Sequence, residues 1–176
     1  MDLATSLIAQ GIDLTLWSPA IGNKSVTDLQ AEIDAGETLL RSIDGKLVRT
    51  VKVVRITVRV EIGSRSFLVV EDKQIFFTGA VRERGMKFVA EKIKHDELPT
   101  TTARRALAEE IGLNFVGELV EIGEELQEKS SPSYPGLSSQ YRTYNYQIVL
   151  SIAELKQIRF AEIQTEKMSL FTLEPI

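Results

Sequence analysis

A strict alternation of apolar and polar residues over positions 53–62, VVRITVRVEI, constrains the fold of this chain more than any other feature. A period of two residues places every second side chain on the same face of a β-strand. The apolar face comprises the β-branched residues Val54, Ile56, Val58, Val60 and Ile62. We therefore predict a sheet with one buried face and one face that carries charged and polar side chains.

Shorter strand-like segments occur on both sides of this one. Gly63-Ser64 and the polar EDKQ at 71–74 bracket the segments SFLVV and IFFTG. Both interruptions resemble turns, and the order predicts a β-meander. Later strands are predicted within FVGELVEIGEEL at 115–126, YRTYNYQIVL at 141–150 and MSLFTL at 168–173.

The first 46 residues differ from the rest in their pattern. Within residues 25–46, Leu29, Ile33 and Leu40 have helical spacing, Thr27 and Gln30 have capping-box spacing, and Asp44-Gly45 punctuates the end. We predict an N-terminal helical extension at residues 1–46 and a main domain at 47–176. Because DLTLWSP at 13–19 carries apolar residues that need cover, the extension is also a candidate for docking or for a homodimer contact.

A second helix is bounded at both ends by the residues that helices prefer there. Pro99 suits the first helical position and Gly112 suits the position just past the end. Ala103, Leu107 and Ile111 are predicted to share one side, and Ala106, Glu109 and Glu110 the other. A third acid at Ala106 would complete a set of oxygen ligands for a hard divalent cation. The alternative interpretation is a solvated acidic face.

Composition excludes several classes of site. The chain has no cysteine and only one histidine, His95, so disulfides, thiolate zinc sites and multi-histidine metal sites are excluded. A net charge of −4 does not favour DNA binding. The start of the chain has no basic targeting segment, and no apolar run is long enough to span a membrane. We expect a cytoplasmic protein with no membrane partner.

Residues 91–113, EKIKHDELPTTTARRALAEEIGL, resemble the signature box of the Nudix family, G-x5-E-x7-R-E-U-x-E-E-x-G-U with U aliphatic. Two positions depart from it: Glu91 stands in place of the opening glycine, and Ala106 in place of the first Glu of the R-E pair. The resemblance implies an α/β (α+β) fold, a Nudix-like α/β/α sandwich with a mixed, mostly antiparallel central sheet. The matching residues are Glu97, Arg105, Leu107, Glu109, Glu110, Gly112 and Leu113.

The resemblance also implies a chemistry, since the family cleaves diphosphate bonds in nucleoside diphosphates linked to another moiety. Glu109 and Glu110 correspond to metal ligands for Mg²⁺ or Mn²⁺ and to catalytic residues, and Glu91 is a candidate replacement ligand. Glu97 and Arg105 would pair and hold the loop against the helix. Ala106 can neither hold a cation nor accept a proton.

Substrate-binding candidates lie outside the helix. A group of basic residues precedes the box, and we expect Arg84 and Lys92 among them to contact phosphate, the alternative being a solvated edge: Arg82, Arg84, Lys87, Lys92 and Lys94. Residues 127–140 are predicted to form a long flexible loop. Its segment SYPGLSSQ is similar to the S-P-G-x-S-x-E stretch of ADP-ribose pyrophosphatase-like members, with Gln140 near the position of the acid.

Two aromatic residues, Trp17 and Tyr134, could stack on a base or simply pack. Two functions therefore remain open at this stage. The first is a pyrophosphohydrolase for an ADP-ribose-like substrate, with catalysis weakened by the incomplete box. The second is a non-catalytic domain that binds a nucleotide or a protein. Ala106 and Gln140 favour the second function, whereas Glu109 and Glu110 favour the first.

Overall fold

The computed structural model describes residues 2–176 and contains both helices and strands. Short 3₁₀ turns at Leu14–Leu16 and Pro19–Ile21 follow the first helix. The helices are α1 (Leu3–Ala9), α2 (Val26–Asp34), α3 (Pro99–Ile111) and α4 (Ile152–Leu155). The strands are β1 (Leu39–Ile43), β2 (Lys46–Ile62), β3 (Arg65–Phe76), β4 (Val81–Met86), β5 (Val89–Lys92), β6 (Val120–Ser130), β7 (Ser138–Leu150), β8 (Ala161–Ile163) and β9 (Lys167–Pro175).

The strands belong to one sheet with the order β6-β7-β2-β3-β9-β8. In addition, β1 and β5 pair with β2, and β4 pairs with β3. Pairing is antiparallel between β1 and β2, β2 and β3, β3 and β4, β3 and β9, and β8 and β9. The predicted α+β class with a mainly antiparallel sheet is confirmed. Within residues 2–176, no helix combines the length and apolar character needed to cross a bilayer.

The chain divides into two compact units, each with its own packing. The first unit comprises residues up to 53 together with 92–97 and 124–143. Its core cluster is Leu7, Ile12, Trp17, Leu29, Tyr134 and Leu137. The Trp17 and Tyr134 rings lie 5.0 Å apart, and the Trp17 indole N–H donates to the Pro135 carbonyl over 2.8 Å. Both aromatic residues therefore pack in the core.

The predicted helix over residues 25–46 is wrong in its second half. Helix α2 ends at Asp34, and its capping box joins Ser25 to Asp28. Leu40 lies in strand β1, which a hairpin connects to β2. Asp44 and Gly45 adopt φ values of 49° and 75° at the turn. Two successive left-handed residues match the twist of paired strands, so Asp-Gly marks a hairpin here and not the end of a helix.

A buried carboxylate, Glu32, stabilises the first unit through several donors. Its oxygens accept from Lys24 Nζ at 2.6 Å, Arg49 at 2.7 Å and the Tyr134 hydroxyl at 3.1 Å. Burial alone raises its pKa, but the hydrogen bonds from Lys24 and Arg49 and the charge of Lys92 outweigh this and hold the pKa of Glu32 well below its usual value. The network is therefore an ionised, paired centre.

The predicted long loop at 127–140 is also wrong. Strand β6 continues to Ser130 and β7 begins at Ser138, so only residues 131–137 connect them. Tyr134 and Leu137 within this connection have no exposed surface. Burial of these two side chains fixes the connection, which composition alone cannot indicate. The strand predicted from residue 115 begins at Val120.

The second unit comprises residues 54–91, 98–123 and 144–176. The side chains of Val54, Ile56, Val58 and Val60 are fully buried, which confirms the alternation, whereas Ile62 at the end of β2 is 39% exposed. The predicted turn at EDKQ is wrong, because β3 runs through it. The register with β9 shifts between Glu71 and Lys73, so Asp72 is an extra residue in β3. A β-bulge of this kind accommodates polar residues without ending the strand.

Candidate functional site

Helix α3 has the predicted boundaries, Pro99 and Ile111, and Gly112 follows in the left-handed conformation with φ of 70°. Two glutamates in its last turn oppose the negative end of the helix dipole. Arg159 offsets this, since its guanidinium donates to the carbonyls of Ala108 and Glu109 at 3.4 and 3.2 Å. The cation at the helix end makes the acidic last turn tolerable.

Arg105 forms ion pairs with two acidic residues of the site. Its guanidinium lies 3.3 Å from the Glu109 carboxylate and 3.8 Å from that of Glu91. Glu91 lies on strand β5. Glu109 is 56% exposed, so its carboxylate faces solvent beside the pair. The structure thus brings together three residues named from the sequence.

Glu110 forms a second acidic group with a residue that the sequence analysis missed. The pKa of Glu110 is raised to about 8, first by burial and then by the charge of Glu162 and a hydrogen bond to it, with further repulsion from Glu91 and Glu71. A protonated Glu110 can donate to the Glu162 carboxylate, which also accepts from Gln164 Nε2 at 2.9 Å. Glu110 and Glu162 form the acid pair of this site.

Ala106 is fully buried, as are Ala103, Leu107 and Ile111. By helical spacing Ala106 lies on the same side of α3 as Glu109 and Glu110, but its methyl group is covered, and helical spacing alone does not show how far neighbouring chain covers a face. Among the side chains of residues 2–176, no three His, Cys, Asp or Glu groups are arranged to hold a metal ion. The carboxylates are close enough to repel one another but do not form a closed cage.

A cavity of about 160 Å³ opens beside the acid pair. Glu110 forms part of its wall. Two cations, Arg84 on β4 and Lys167 on β9, also line it. The Arg84 Nε–H donates to Glu71 Oε2 at 3.3 Å. The cavity therefore offers carboxyl groups and cations together, which suits a ligand with phosphate groups.

The remaining predicted site residues belong to the first unit. Glu97 accepts from the Lys94 amide at 3.3 Å, and its pairing with Arg105 stays a prediction. Lys92 lies 3.2 Å from carboxylate oxygens of Glu32 and Glu37. Gln140 donates to Glu128 Oε1 at 2.9 Å. The phosphate-contact role of Lys92 and the substrate role of Gln140 stay predictions too.

Glu162 and the cavity residue Gln74 were missed for different reasons. Glu162 lies in a short strand far along the chain from the helix, and its neighbours give no local signal. Gln74 belongs to EDKQ, whose polarity suggested a turn. If EDKQ is interpreted as a strand with a bulge and not as a turn, Glu71 and Gln74 lie on the same face of that strand.

The sequence model of the NUDIX domain family matches residues 49–174, which is most of the chain. The chain belongs to this family. The predicted Nudix membership is thereby confirmed, and the match covers strands on both sides of α3. No curated protein gives a significant match.

Solved structures of NUDIX proteins resemble the chain only distantly. The NUDIX domain of Shewanella oneidensis NrtR complexed with ADP ribose gives a TM-score of 0.49 at 11% identity, covering 72% of this chain and 73% of that one. A C. elegans Ap4A hydrolase gives 0.40 at 8% identity, covering 72% and 80%. The M. smegmatis Nudix hydrolase RenU gives 0.41 at 11% identity, covering 77% and 78%.

The donor chemistry of this NUDIX domain fits a hard divalent cation. Mg²⁺ prefers carboxylate oxygens and is commonly held by one or two carboxylates together with substrate phosphates. Glu110, in the cavity wall, and Glu162, its hydrogen-bond partner, supply such a pair, and their mutual repulsion would be relieved by a cation. Glu91 and Glu109 are engaged by Arg105, and Glu91 is close enough for its charge to raise the pKa of Glu110.

Proposed function

We propose that this NUDIX domain binds a nucleoside diphosphate linked to a further moiety, of the ADP-ribose type, and hydrolyses its diphosphate bond slowly with Mg²⁺ or Mn²⁺. The observation that carries the proposal is the acid pair of Glu110 and Glu162, of which Glu110 lines a cavity that Arg84 and Lys167 also line. We expect the domain to act in the cytoplasm, as a monomer or homodimer, with no DNA or membrane partner.

Different residues in and beside the cavity wall would bind the phosphate groups and the cation. Arg84 and Lys167 attract phosphate oxygens, and the Arg84 guanidinium is oriented by its bond to Glu71. Glu110 and Glu162 would hold the cation, assisted by Glu91 or Glu109. A bound divalent cation supplies charge neutralisation at phosphate oxygens and an activated water. Positioning and electrostatics are the main requirements of phosphoryl chemistry.

Two features support slow turnover. The Ala106 methyl group cannot ligate a cation or take a proton. In addition, the pKa of Glu110 is about 8 without a cation, so a cation must displace a proton to bind this carboxyl group at neutral pH. Binding of the cation, and with it turnover, is therefore expected to be weak at pH 7 and to improve as the pH rises.

The direct test is a hydrolysis assay with Mg²⁺ or Mn²⁺ and a panel of ADP-ribose, dinucleotides and nucleoside triphosphates. We expect AMP release from ADP-ribose that requires the metal and is lost in both Glu110→Gln and Glu162→Gln. Glu154→Gln, at the cap of α4, is the matched control and should retain turnover. Turnover that persists in Glu110→Gln would contradict the assigned site.

The alternative function is non-catalytic binding of a nucleotide or of a protein partner. The buried Ala106 and the amide at Gln140 favour it. In that case ADP-ribose would raise the melting temperature of the protein without any product formation. An absence of both turnover and ligand-induced stabilisation, across the whole panel, would exclude both nucleotide functions.

A further inference from the structure

Arg159 connects the end of helix α3 to the chain between α4 and β8. Its amide donates to the Ile111 carbonyl at 2.8 Å, and its guanidinium donates to the carbonyls of Ala108 and Glu109 at 3.4 and 3.2 Å. The last carbonyls of a helix have no partner within the helix, and the helix dipole favours a cation beside them. Arg159 therefore contacts the last turn of α3 through both its backbone and its side chain.

Gly112 provides the space for the Arg159 side chain. A Cβ atom added at Gly112 would lie 2.5 Å from Arg159 Nε and 3.1 Å from Arg159 Cγ. Both distances are shorter than the separation of carbon atoms in ordinary van der Waals contact. The stem of the arginine therefore lies directly against the backbone that ends α3. This close packing fixes the place of the side chain in addition to its hydrogen bonds.

The same segment of chain is attached on its other side to β9. The Phe160 carbonyl accepts from the Phe171 amide at 2.8 Å, and β8, which begins at the next residue, pairs antiparallel with β9. Glu162 follows Arg159 by three residues, a span of at most about 11 Å of chain. The position of Glu162 relative to Glu110 on α3 therefore depends on how Arg159 holds this segment to the helix.

We infer that Arg159 is a positioning residue for the acid pair: by fixing the segment 158–162 to the end of α3, it holds Glu162 beside Glu110 in the arrangement that binds a divalent cation. This role rests on the proposed function, because the acid pair is taken as the cation site. Groups that orient metal ligands typically change metal affinity by about 10–100-fold when they are removed.

The sign of the effect separates positioning from charge. The guanidinium of Arg159 is a cation near the site and repels a second cation. If Arg159 acted through its charge alone, its removal would strengthen the binding of Mn²⁺. If Arg159 acts by holding Glu162 in place, its removal weakens the binding of Mn²⁺ although a repulsive charge has been lost.

The experiment measures the dissociation constant for Mn²⁺ from the electron paramagnetic resonance signal of the free ion, without nucleotide. The proteins are wild type, Arg159→Met, Arg159→Lys and Arg104→Met, at a temperature where circular dichroism shows each to be folded. Arg104 is the matched control in the same unit, because its guanidinium also donates to two backbone carbonyls, those of Phe115 and Gly117, at 2.7 and 2.9 Å.

We expect Arg159→Met to bind Mn²⁺ roughly tenfold more weakly than wild type. Arg159→Lys should lie between the two, because an ammonium group lacks the planar fork of donors. Arg104→Met should melt at a lower temperature than wild type and bind Mn²⁺ no more weakly. Unchanged or tighter binding in Arg159→Met would overturn the inference, as would an equal loss in Arg104→Met. If Arg159→Met does not fold, wild-type affinity in Arg159→Lys overturns it.

Hydrogen exchange gives a second readout on the segment itself. Backbone amides of residues 158–163 should exchange faster in Arg159→Met than in wild type or Arg104→Met, because their attachment to α3 is weakened. Weaker Mn²⁺ binding with unchanged exchange in this segment would contradict the positioning role.

The failure of this inference and that of the proposed function are distinguishable. If wild type binds Mn²⁺ and Arg159→Met binds it equally well, the role of Arg159 fails alone. If wild type binds no Mn²⁺, with or without ADP-ribose, the proposed function fails and the role of Arg159 fails with it.

Discussion

At the scale of single residues, the protonation of Glu110 links the site to stability. Its pKa in the folded protein is about 8, against 4.5 for the free side chain. Between these values the folded state holds a proton that the unfolded state has released, so the free energy of unfolding falls as the pH rises through this range.

Glu110→Gln removes this pH dependence. We expect the variant to be more stable than wild type at pH 8, by a few degrees in melting temperature, and about equally stable at pH 4.5. Thermal unfolding followed by circular dichroism at the two pH values measures the difference. A variant that is less stable than wild type at pH 8 would show that the ionised Glu110 is favourably paired.

Ala106 also determines what the site can bind, because it stands where the box of the family has a glutamate. Ala106→Glu places a carboxylate at a fully buried position next to Glu110, so the variant should be less stable than wild type without metal. If the helix faces a cation, Mn²⁺ should restore much of the lost melting temperature and calorimetry should show tighter Mn²⁺ binding than in wild type.

Ala106→Gln is the matched control, since it has the same size but no charge. It should lose stability in the same way and show no gain in Mn²⁺ affinity. Equal responses of the two variants to Mn²⁺ would mean that this face of α3 does not reach a metal site.

At the scale of secondary-structure elements, local signals predicted some boundaries and failed at others. Pro99 and Gly112 marked α3 correctly, because a fixed φ and a left-handed φ each suit one specific helix position. Asp44-Gly45 was assigned to a helix end although it closes a hairpin. The difference depends on whether Leu39–Ile43 finds a strand partner, and pairing across the chain is not a local property.

Residues of the site were likewise predicted where the signal is local and missed where it depends on strand pairing. Glu109, Glu110 and Arg105 were predicted because they share one helix and one motif. Glu162 and Gln74 were not, because the pairing of β8 and of the bulged β3 with β9 brings Glu162 to Glu110 and Gln74 to the cavity. Polarity at residues 71–74 indicated a turn, whereas the extra residue Asp72 lets the strand continue.

The C-terminal end of α3 gives a prediction at this scale. Gly112 has φ of 70°, and an added Cβ would lie 2.5 Å from Arg159 Nε, the side chain that caps the helix. Gly112→Ala should lower the free energy of unfolding by about 2 kcal/mol or more, through backbone strain and displacement of Arg159.

Gly22→Ala is the control for the strain alone. Gly22 has φ of 83°, and no atom lies within 4 Å of the added Cβ. Urea denaturation should show a smaller loss for Gly22→Ala, about 1 kcal/mol. Equal losses in the two variants would mean that Arg159 moves aside without cost.

At the scale of the whole molecule, two carboxyl groups with opposite pKa shifts set how stability depends on pH. The lowered pKa of Glu32 contributes stability that is fully present above about pH 4.5 and is lost as the pH falls further. Glu110 contributes stability that is lost as the pH rises toward 8. Together these two groups favour maximal stability at about pH 5.

Glu32→Gln tests the acid limb of this dependence. The substitution leaves Arg49, which is 5% exposed, without its counter-ion. We expect a loss of about 3–5 kcal/mol at pH 7 by urea denaturation, with a shallower decline in acid than wild type. Glu37→Gln, at a carboxylate that is 28% exposed, should cost less than about 1 kcal/mol. Comparable losses in the two variants would mean that Glu32 contributes no more to the stability of the folded protein than Glu37 does.

The central claim is that the acid pair of this NUDIX domain holds a divalent cation together with the diphosphate of its ligand. Anomalous diffraction from crystals soaked with Mn²⁺ and ADP-ribose tests it most directly. The account predicts a manganese peak in contact with the carboxylates of Glu110 and Glu162, with the ligand's phosphates completing its coordination. Bound ADP-ribose with no peak at these carboxylates, or with manganese at another site, would contradict it.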